Sequence, residues 1–314
     1  LNKTELVNAM PRDWDSASFS FSAFSLNFRY TPLLVVDNES AIPLDYLSAY
    51  RAPPTKSPLA EGANLVIGVT REEIDFAPGD DVRGMTINQF RDFISNHMSQ
   101  RFNRSFTEKV LSVYGLGNSI GSSTNSSRLS FQQTYAQIVS DATIFCPTLD
   151  LVSTKFSRIR NTSIESKFSK RELSLGNRLG HVYVYSTSQQ PGQQSGFCPL
   201  KPFQSIRGYC PHYAFHAIDM FALFAPDWTL GNASQRYANT KADEAYGDLM
   251  ARRFAEFAYT GAVRAWKTYD ARLDMDDSYS VVDLRTPGES NVQKLRDVEC
   301  SLWKGFYKEL GLIN

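Results

Sequence analysis

Asn64-Leu65-Val66-Ile67-Gly68-Val69-Thr70-Arg71-Glu72-Glu73 is the stretch on which the reading of this chain turns. Leu65 to Thr70 is almost continuously apolar, the pattern of a parallel strand covered on both faces. Two carboxylates follow it at once. Far downstream, Pro211-His212-Tyr213-Ala214-Phe215-His216-Ala217-Ile218-Asp219-Met220-Phe221-Ala222-Leu223-Phe224 carries a histidine at the head of an apolar run that anchors it against a core. An imidazole held at the mouth of a pocket, with a carboxylate to orient it, is what acyl-transfer chemistry asks of its general base. Glu73 and His216 are therefore the candidate pair.

The third member of such a constellation is a nucleophile. Gly117-Asn118-Ser119-Ile120-Gly121 satisfies G-x-S-x-G as a string. That motif works only on a strand-turn-helix elbow, which exposes the serine hydroxyl on a strained turn. Here a helical pattern precedes Ser119 and a Ser/Asn/Gly loop follows, so Ser119 is set aside. His97 reads as a helix residue and His181 as a strand start, both structural. His212 lies one helical turn before His216, but no carboxylate or cysteine stands at a matching spacing, so no metal site is expected.

Bulk properties narrow the class. The 314 residues are 42% hydrophobic and 21% charged, as in a folded globular protein rather than a disordered one. Lys+Arg 33 balances Asp+Glu 33 with no basic stripe, which disfavours a nucleic-acid partner. No apolar run approaches the roughly 20 residues of a membrane span. Sequons begin at Asn2, Asn38, Asn103, Asn125, Asn161 and Asn232, and with four cysteines they point to a secreted glycoprotein. Leu1 to Glu5 has no signal-peptide character. Cys198 and Cys210 bracket a Pro/Gly/Arg loop just before His216. Either they close it locally, leaving Cys146 and Cys300 as a long-range pair, or all four are buried thiols.

In chain order, residues 1–30 read as an extended segment, Pro32 to Asp37 as a short apolar piece and Pro43 to Tyr50 as a short helix. Arg51 to Gly62 is a Pro-rich connection. Thr86 caps a helix with Ile87, Phe90, Ile94 and Met98 at helical spacing. Helices follow over Phe106 to Tyr114, Phe131 to Val139, and again after Cys146-Pro147. Residues 156–178 read as an exposed excursion, and His181 to Ser186 is a strong strand by its β-branched and aromatic content. Gln189 to Gly208 is a loop. A long helix over Ser234 to Tyr259 turns Ala245, Leu249, Phe254 and Phe257 inward. Ser280 to Arg285 is a late strand, and Val292 to Leu310 a closing amphipathic helix with Leu295, Cys300, Trp303 and Phe306 on one face. Strands alternating with helices predict an α/β fold.

Several segments, in order, resemble the type-B carboxylesterases, the cholinesterase/carboxylesterase branch of the α/β-hydrolases. Pro32-Leu33-Leu34-Val35-Val36-Asp37 is similar to the family's P-V-I-D-G segment, and Leu65 to Glu73 to the strand that ends in D/E-E-G. Ile144-Phe145-Cys146-Pro147 resembles V-x-C-P, Val182 to Ser186 the V-Y-x-Y strand, and His216-Ala217-Ile218-Asp219 the H-x-x-D/E motif. Phe254 to Gly261 with Trp266 resembles W-x-x-F-A-x-T-G…W, and Val282 to Arg285 with Cys300 to Trp303 the closing L-x-L…C-x-F-W. Ile74 departs from the family's usual Gly.

The resemblance implies that residues 1–314 are the C-terminal part of one α/β-hydrolase domain, building half of its mostly parallel sheet. It implies Glu73 as the triad acid, His216 as the base, Asp219 as a carboxylate beneath the histidine and Phe76 as a substrate-lining aromatic. It also implies a Cys146–Cys300 disulfide. The family's nucleophile elbow and oxyanion glycines would lie upstream of Leu1. The implied molecule is thus a cofactor-free ester hydrolase acting on a small-molecule ester, inert until an N-terminal half completes it; the closing helix is a candidate for homodimer packing. The competing expectations are a cholinesterase-like adhesion module without catalysis and a pigment- or lipid-carrying derivative.

Overall fold

The computed structural model describes residues 64–76, 78–99, 102–117, 130–153, 181–192, 209–224, 239–269 and 279–309. The segments expected at 1–30, Pro32 to Asp37, Pro43 to Tyr50 and 156–178 lie outside them, as do Ser119, Cys198 and the sequons at Asn2, Asn38, Asn125, Asn161 and Asn232. Four strands form one mixed sheet in the order β1 (Leu65–Thr70), β2 (Val182–Thr187), β3 (Ser280–Arg285), β4 (Gly288–Gln293). β1–β2 and β2–β3 are parallel and β3–β4 antiparallel. The chain is an α/β protein.

Alternation along the strands sends side chains to two separate cores. Leu65, Ile67, Val69, Val182, Val184 and Val281 face one cluster. On that side lie α1 (Ile87–Ser99), α2 (Arg104–Val113), α3 (Phe131–Ser140) and α6 (Asp297–Glu309). Val66, Tyr183, Tyr185, Val282 and Leu284 face the other, against α5 (Lys241–Thr260) and the residues that follow it. All six residues of β2 are buried, which is why this stretch lacks the polar alternation of a one-sided sheet.

Local chemistry explains most element ends. Thr86 and Gln89 form the reciprocal bonds of a capping box at α1, whose Phe90, Ile94 and Met98 are fully buried. Asn103, exposed and part of a sequon, caps α2 by accepting from the Phe106 N–H. α5 starts at Lys241 rather than at Ser234, because Thr240 adopts an extended backbone and closes a capping box with Asp243. Its buried face carries Tyr246, Leu249 and Met250, whereas Ala245 is exposed. Gly261, at φ 69°, ends it in the left-handed conformation that glycine tolerates.

Two further expectations are corrected. The break read at Cys146-Pro147 is not a break: α3 runs through a π-turn at Asp141–Phe145 into helical residues 146–153. Pro147 is tolerated because the ladder that needs its missing N–H is already displaced by the π-turn just before it. The closing helix begins at Asp297, not Val292, since Gly288–Gln293 pairs with β3 as a hairpin. Its polar sequence, Gly-Glu-Ser-Asn-Val-Gln, suits an edge strand facing solvent and so gave no strand signal.

Cys146, at the end of the π-turn, is bonded to Cys300 in α6 across 154 residues. Cys210 is disulfide-bonded as well. Among the described residues no helix is long and apolar enough to cross a membrane. The Cys146–Cys300 bridge closes so long a loop that it removes much of the unfolded chain's freedom. Replacing both cysteines by serine should lower stability by about 2–5 kcal/mol in urea unfolding, with no change in m-value beyond that of the disulfide-free unfolded state.

Candidate active site

The C-terminal end of β1 turns immediately into a 3-10 turn, Glu73–Phe76. Three carboxylates are buried within four positions: Glu72 is 2% exposed, Glu73 7% and Asp75 0%. Unpaired carboxylates at such depth are costly, so their partners define what the turn is for. Most of those hydrogen-bond partners are on one loop, residues 209–216, and the rest are Thr70 and two glutamines of α3.

Glu73 has one oxygen for each neighbour. Its Oε1 accepts the Thr70 N–H at 2.7 Å, which fixes the side chain against the strand it follows. Its Oε2 lies 2.8 Å from Nδ1 of His216. A second tie runs through the main chain, where the His216 N–H donates to the Glu73 carbonyl at 3.1 Å. A carboxylate only accepts, so it assigns the ring proton to Nδ1 and leaves the lone pair of the neutral imidazole on Nε2. The His216 side chain is 66% exposed, and Nε2 makes no hydrogen bond among the described residues. The hydrogen bond to Glu73 raises the proton affinity of His216; partial burial opposes it, and the charges of Glu73 and Asp219 add to it.

Glu72 and Asp75 hold the rest of the loop. Glu72 Oε2 accepts the Ala214 N–H at 3.2 Å, and the Glu72 N–H donates to the Ala214 carbonyl at 3.0 Å. Its Oε1 accepts from the amides of Gln133 and Gln137 on α3, both at 2.9 Å. Asp75 Oδ2 accepts the N–H groups of His212 and Tyr213 at 2.7 and 2.9 Å, and Oδ1 accepts the Tyr209 hydroxyl. Burial holds the Asp75 carboxyl above the usual carboxylate range despite these donors. The Ile74 N–H, which a glycine would also supply, donates to the Ser140 hydroxyl at the end of α3.

Below the histidine, Ala217 takes a φ of 66°, a left-handed conformation that costs a non-glycine residue about 1 kcal/mol. It swings the chain into α4 (Ile218–Phe224). Asp219, buried at the start of α4, accepts the Tyr185 hydroxyl at 2.8 Å. The Tyr185 ring reaches it by lying over Gly68, its partner on β1, where a Cβ would sit 1.8 Å from the ring. Phe76 is half-buried and stacks on Phe215 with ring centres 6.0 Å apart. Phe215 and Ile218 face inward, onto a cleft of about 270 Å³ between α4 and α5.

Glu73, His216, Asp219 and Phe76 are therefore gathered around one loop. His97 lies apart on α1, bonded to the Phe93 carbonyl, and His181 is exposed beside β2. His212 contributes its backbone N–H to Asp75. Among the described residues no group of three or more His, Cys, Asp or Glu side chains is arranged to hold a metal ion. What sequence reasoning passed over is Asp75; its signal was a third acid in Glu72-Glu73-Ile74-Asp75 directly after an apolar strand. No protein-family model matches the chain, and no curated protein matches it either.

Two measurements probe this geometry. In NMR titration of the histidine ring protons, His216 should titrate above the ordinary value of about 6.5, and Glu73→Gln should bring it down. The sign for stability follows: the Glu73–His216 contact contributes fully below the unfolded value and is lost as pH rises through the folded one. Gly68→Ala should destabilise by about 1–3 kcal/mol and displace the Tyr185 ring, read as an altered near-ultraviolet circular dichroism signal.

Proposed function

We propose that this chain supplies the acid and the base of a serine ester hydrolase of the type-B carboxylesterase kind, on the C-terminal part of an α/β-hydrolase domain. One observation carries the reading. Glu73, just past the end of a parallel strand, is bonded to Nδ1 of His216, whose ring is largely exposed and whose other nitrogen is unbonded among the described residues. A lone buried ion pair for stability would bury both groups; here Glu73 is buried and the His216 side chain is largely exposed.

The nucleophile and the oxyanion donors come, in this proposal, from an N-terminal polypeptide not contained in the sequence. Two features support such a partner. β1 is an apolar parallel strand whose Leu65 to Gly68 are only half-buried, and among the described residues no strand pairs with its outer edge. Met220 and Phe224, one turn apart on α4, are 53% and 70% exposed. The Cys146–Cys300 bond fits the secretory compartment proposed for the protein, and the exposed Asn103 fits its glycosylation.

The chemistry is acyl transfer. The partner's serine oxygen forms a bond to the ester carbonyl carbon as His216 Nε2 takes its proton, and Glu73 stabilises the resulting imidazolium. Collapse breaks the bond to the alcohol, which receives that proton from His216. Water then repeats both steps on the acyl-enzyme with the same base. Phe76 is placed to line the substrate's path just past the acid, and Asp219 adds negative charge beneath the ring.

The test is an organophosphonate probe applied to the native material. Labelling of a co-purifying polypeptide, with none on this chain, is the expected outcome; labelling of Ser119, or of nothing, sinks the reading, the latter in favour of a non-catalytic adhesion module. In the assembled enzyme Glu73→Gln should cost roughly 10⁴-fold in kcat, since the amide forces the wrong ring tautomer. Activity should rise with pH through the elevated His216 value, because only the neutral ring accepts a proton.

A further inference from the structure

We propose that Glu72 and Asp75 act as a two-point clamp that positions His216 by gripping the backbone of residues 212–214 and the Tyr209 hydroxyl. This inference rests on the hydrolase reading for its catalytic consequence, but its structural half stands without it.

The loop that carries the histidine is anchored at its start by the Cys210 disulfide and at Tyr213 by the Ser130 hydroxyl, but its main chain is held by the acidic turn. Three consecutive main-chain N–H groups, of His212, Tyr213 and Ala214, all end on carboxylate oxygens of the 72–75 turn. The Tyr209 hydroxyl ends there too. His216 lies two residues past the last of these ties, and they set its approach to Glu73 together with its own N–H bond to the Glu73 carbonyl. One Asp75 oxygen accepts the adjacent N–H groups of His212 and Tyr213 while the other accepts the Tyr209 hydroxyl, a set of donors that a neutral amide, with one accepting oxygen, could not satisfy together.

Burial argues for function rather than convenience. Glu72 and Asp75 are 2% and 0% exposed, and three buried acids in four residues oppose folding by desolvation and mutual repulsion. A tie needed only for stability would be better made by uncharged groups. Neither residue is among the charges that raise the proton affinity of His216, which are Glu73 and Asp219. Their contacts to the loop carry their influence on His216 through geometry. Glu72 also links the loop to α3 through Gln133 and Gln137, so the position of the histidine is referenced to the main core.

The experiment uses Glu72→Gln, Asp75→Asn and the milder Tyr209→Phe in the assembled protein, with active sites counted by organophosphonate uptake. Misplacing a base by an ångström costs on the order of 100-fold. The two charge-removing variants should lower kcat per counted site by about 10–100-fold on that scale, with KM little changed, and Tyr209→Phe should do so less. The NMR midpoint of His216 should fall in all three as its bond to Glu73 loosens. In a Glu73→Gln background the same changes should cost little more, because the bond they serve is already gone. Lower thermal stability with unchanged kcat per site and unchanged His216 midpoint would overturn the clamp, as would full additivity with Glu73→Gln. If the assembled protein takes up no probe, the hydrolase reading fails, and the His216 midpoint in the variants alone then decides whether the clamp exists.

Discussion

A short acidic turn at the end of β1 is the joint on which this structure depends. Glu72, Glu73 and Asp75 sit in water-excluded surroundings where ionised carboxylates are expensive, and each is made tolerable by donors from residues 209–216 or from α3. The cost cannot be met locally, because the turn has too few N–H groups of its own. It is met by a loop more than 130 residues away in sequence, as the Tyr209–Asp75 bond spans 134 positions. Turn and loop thus specify one another: neither has a reason to hold its conformation alone.

The sheet makes that meeting possible. β1 and β2 run parallel and in register, so both chains leave the sheet at the same end. The ladder continues past the strands, with the Arg71 N–H donating to the Thr187 carbonyl and the Glu72 N–H to the Ala214 carbonyl. The loop therefore docks as a continuation of the sheet's own hydrogen bonding. On the far side, Gly68 leaves room for the Tyr185 ring, which carries a hydroxyl to Asp219 beneath the histidine. Position and charge around His216 are set from two faces of one sheet.

Energetics and chemistry pull the same way at only one point in this site. The Glu73–His216 bond stabilises the loop and also orients the ring. Elsewhere they conflict: Asp75 resists ionisation, and Ala217 is held in a conformation that glycine would adopt more easily. Local conflicts of this kind, persisting inside a consistent core, are expected where geometry serves chemistry.

Amino-acid order by itself determined the parts whose physics is local. The apolar run of β1, the β-branched and aromatic β2, the Thr86 cap, and the Phe90, Ile94 and Met98 stripe are written in spacing and side-chain type, and they appear as read. The Glu73–His216 contact, expected from a strand-end acid and an anchored imidazole, is also present. The β4 hairpin, the unbroken helix through Pro147 and the start of α5 at Lys241 were not legible. A polar edge strand has no periodic signal, and a π-turn has no residue code. Asp75 and Glu72 as ligands of a distant backbone were hidden for a deeper reason. Their role is fixed by which main-chain N–H groups arrive at them, and only the parallel pairing of β1 with β2 brings that loop within reach.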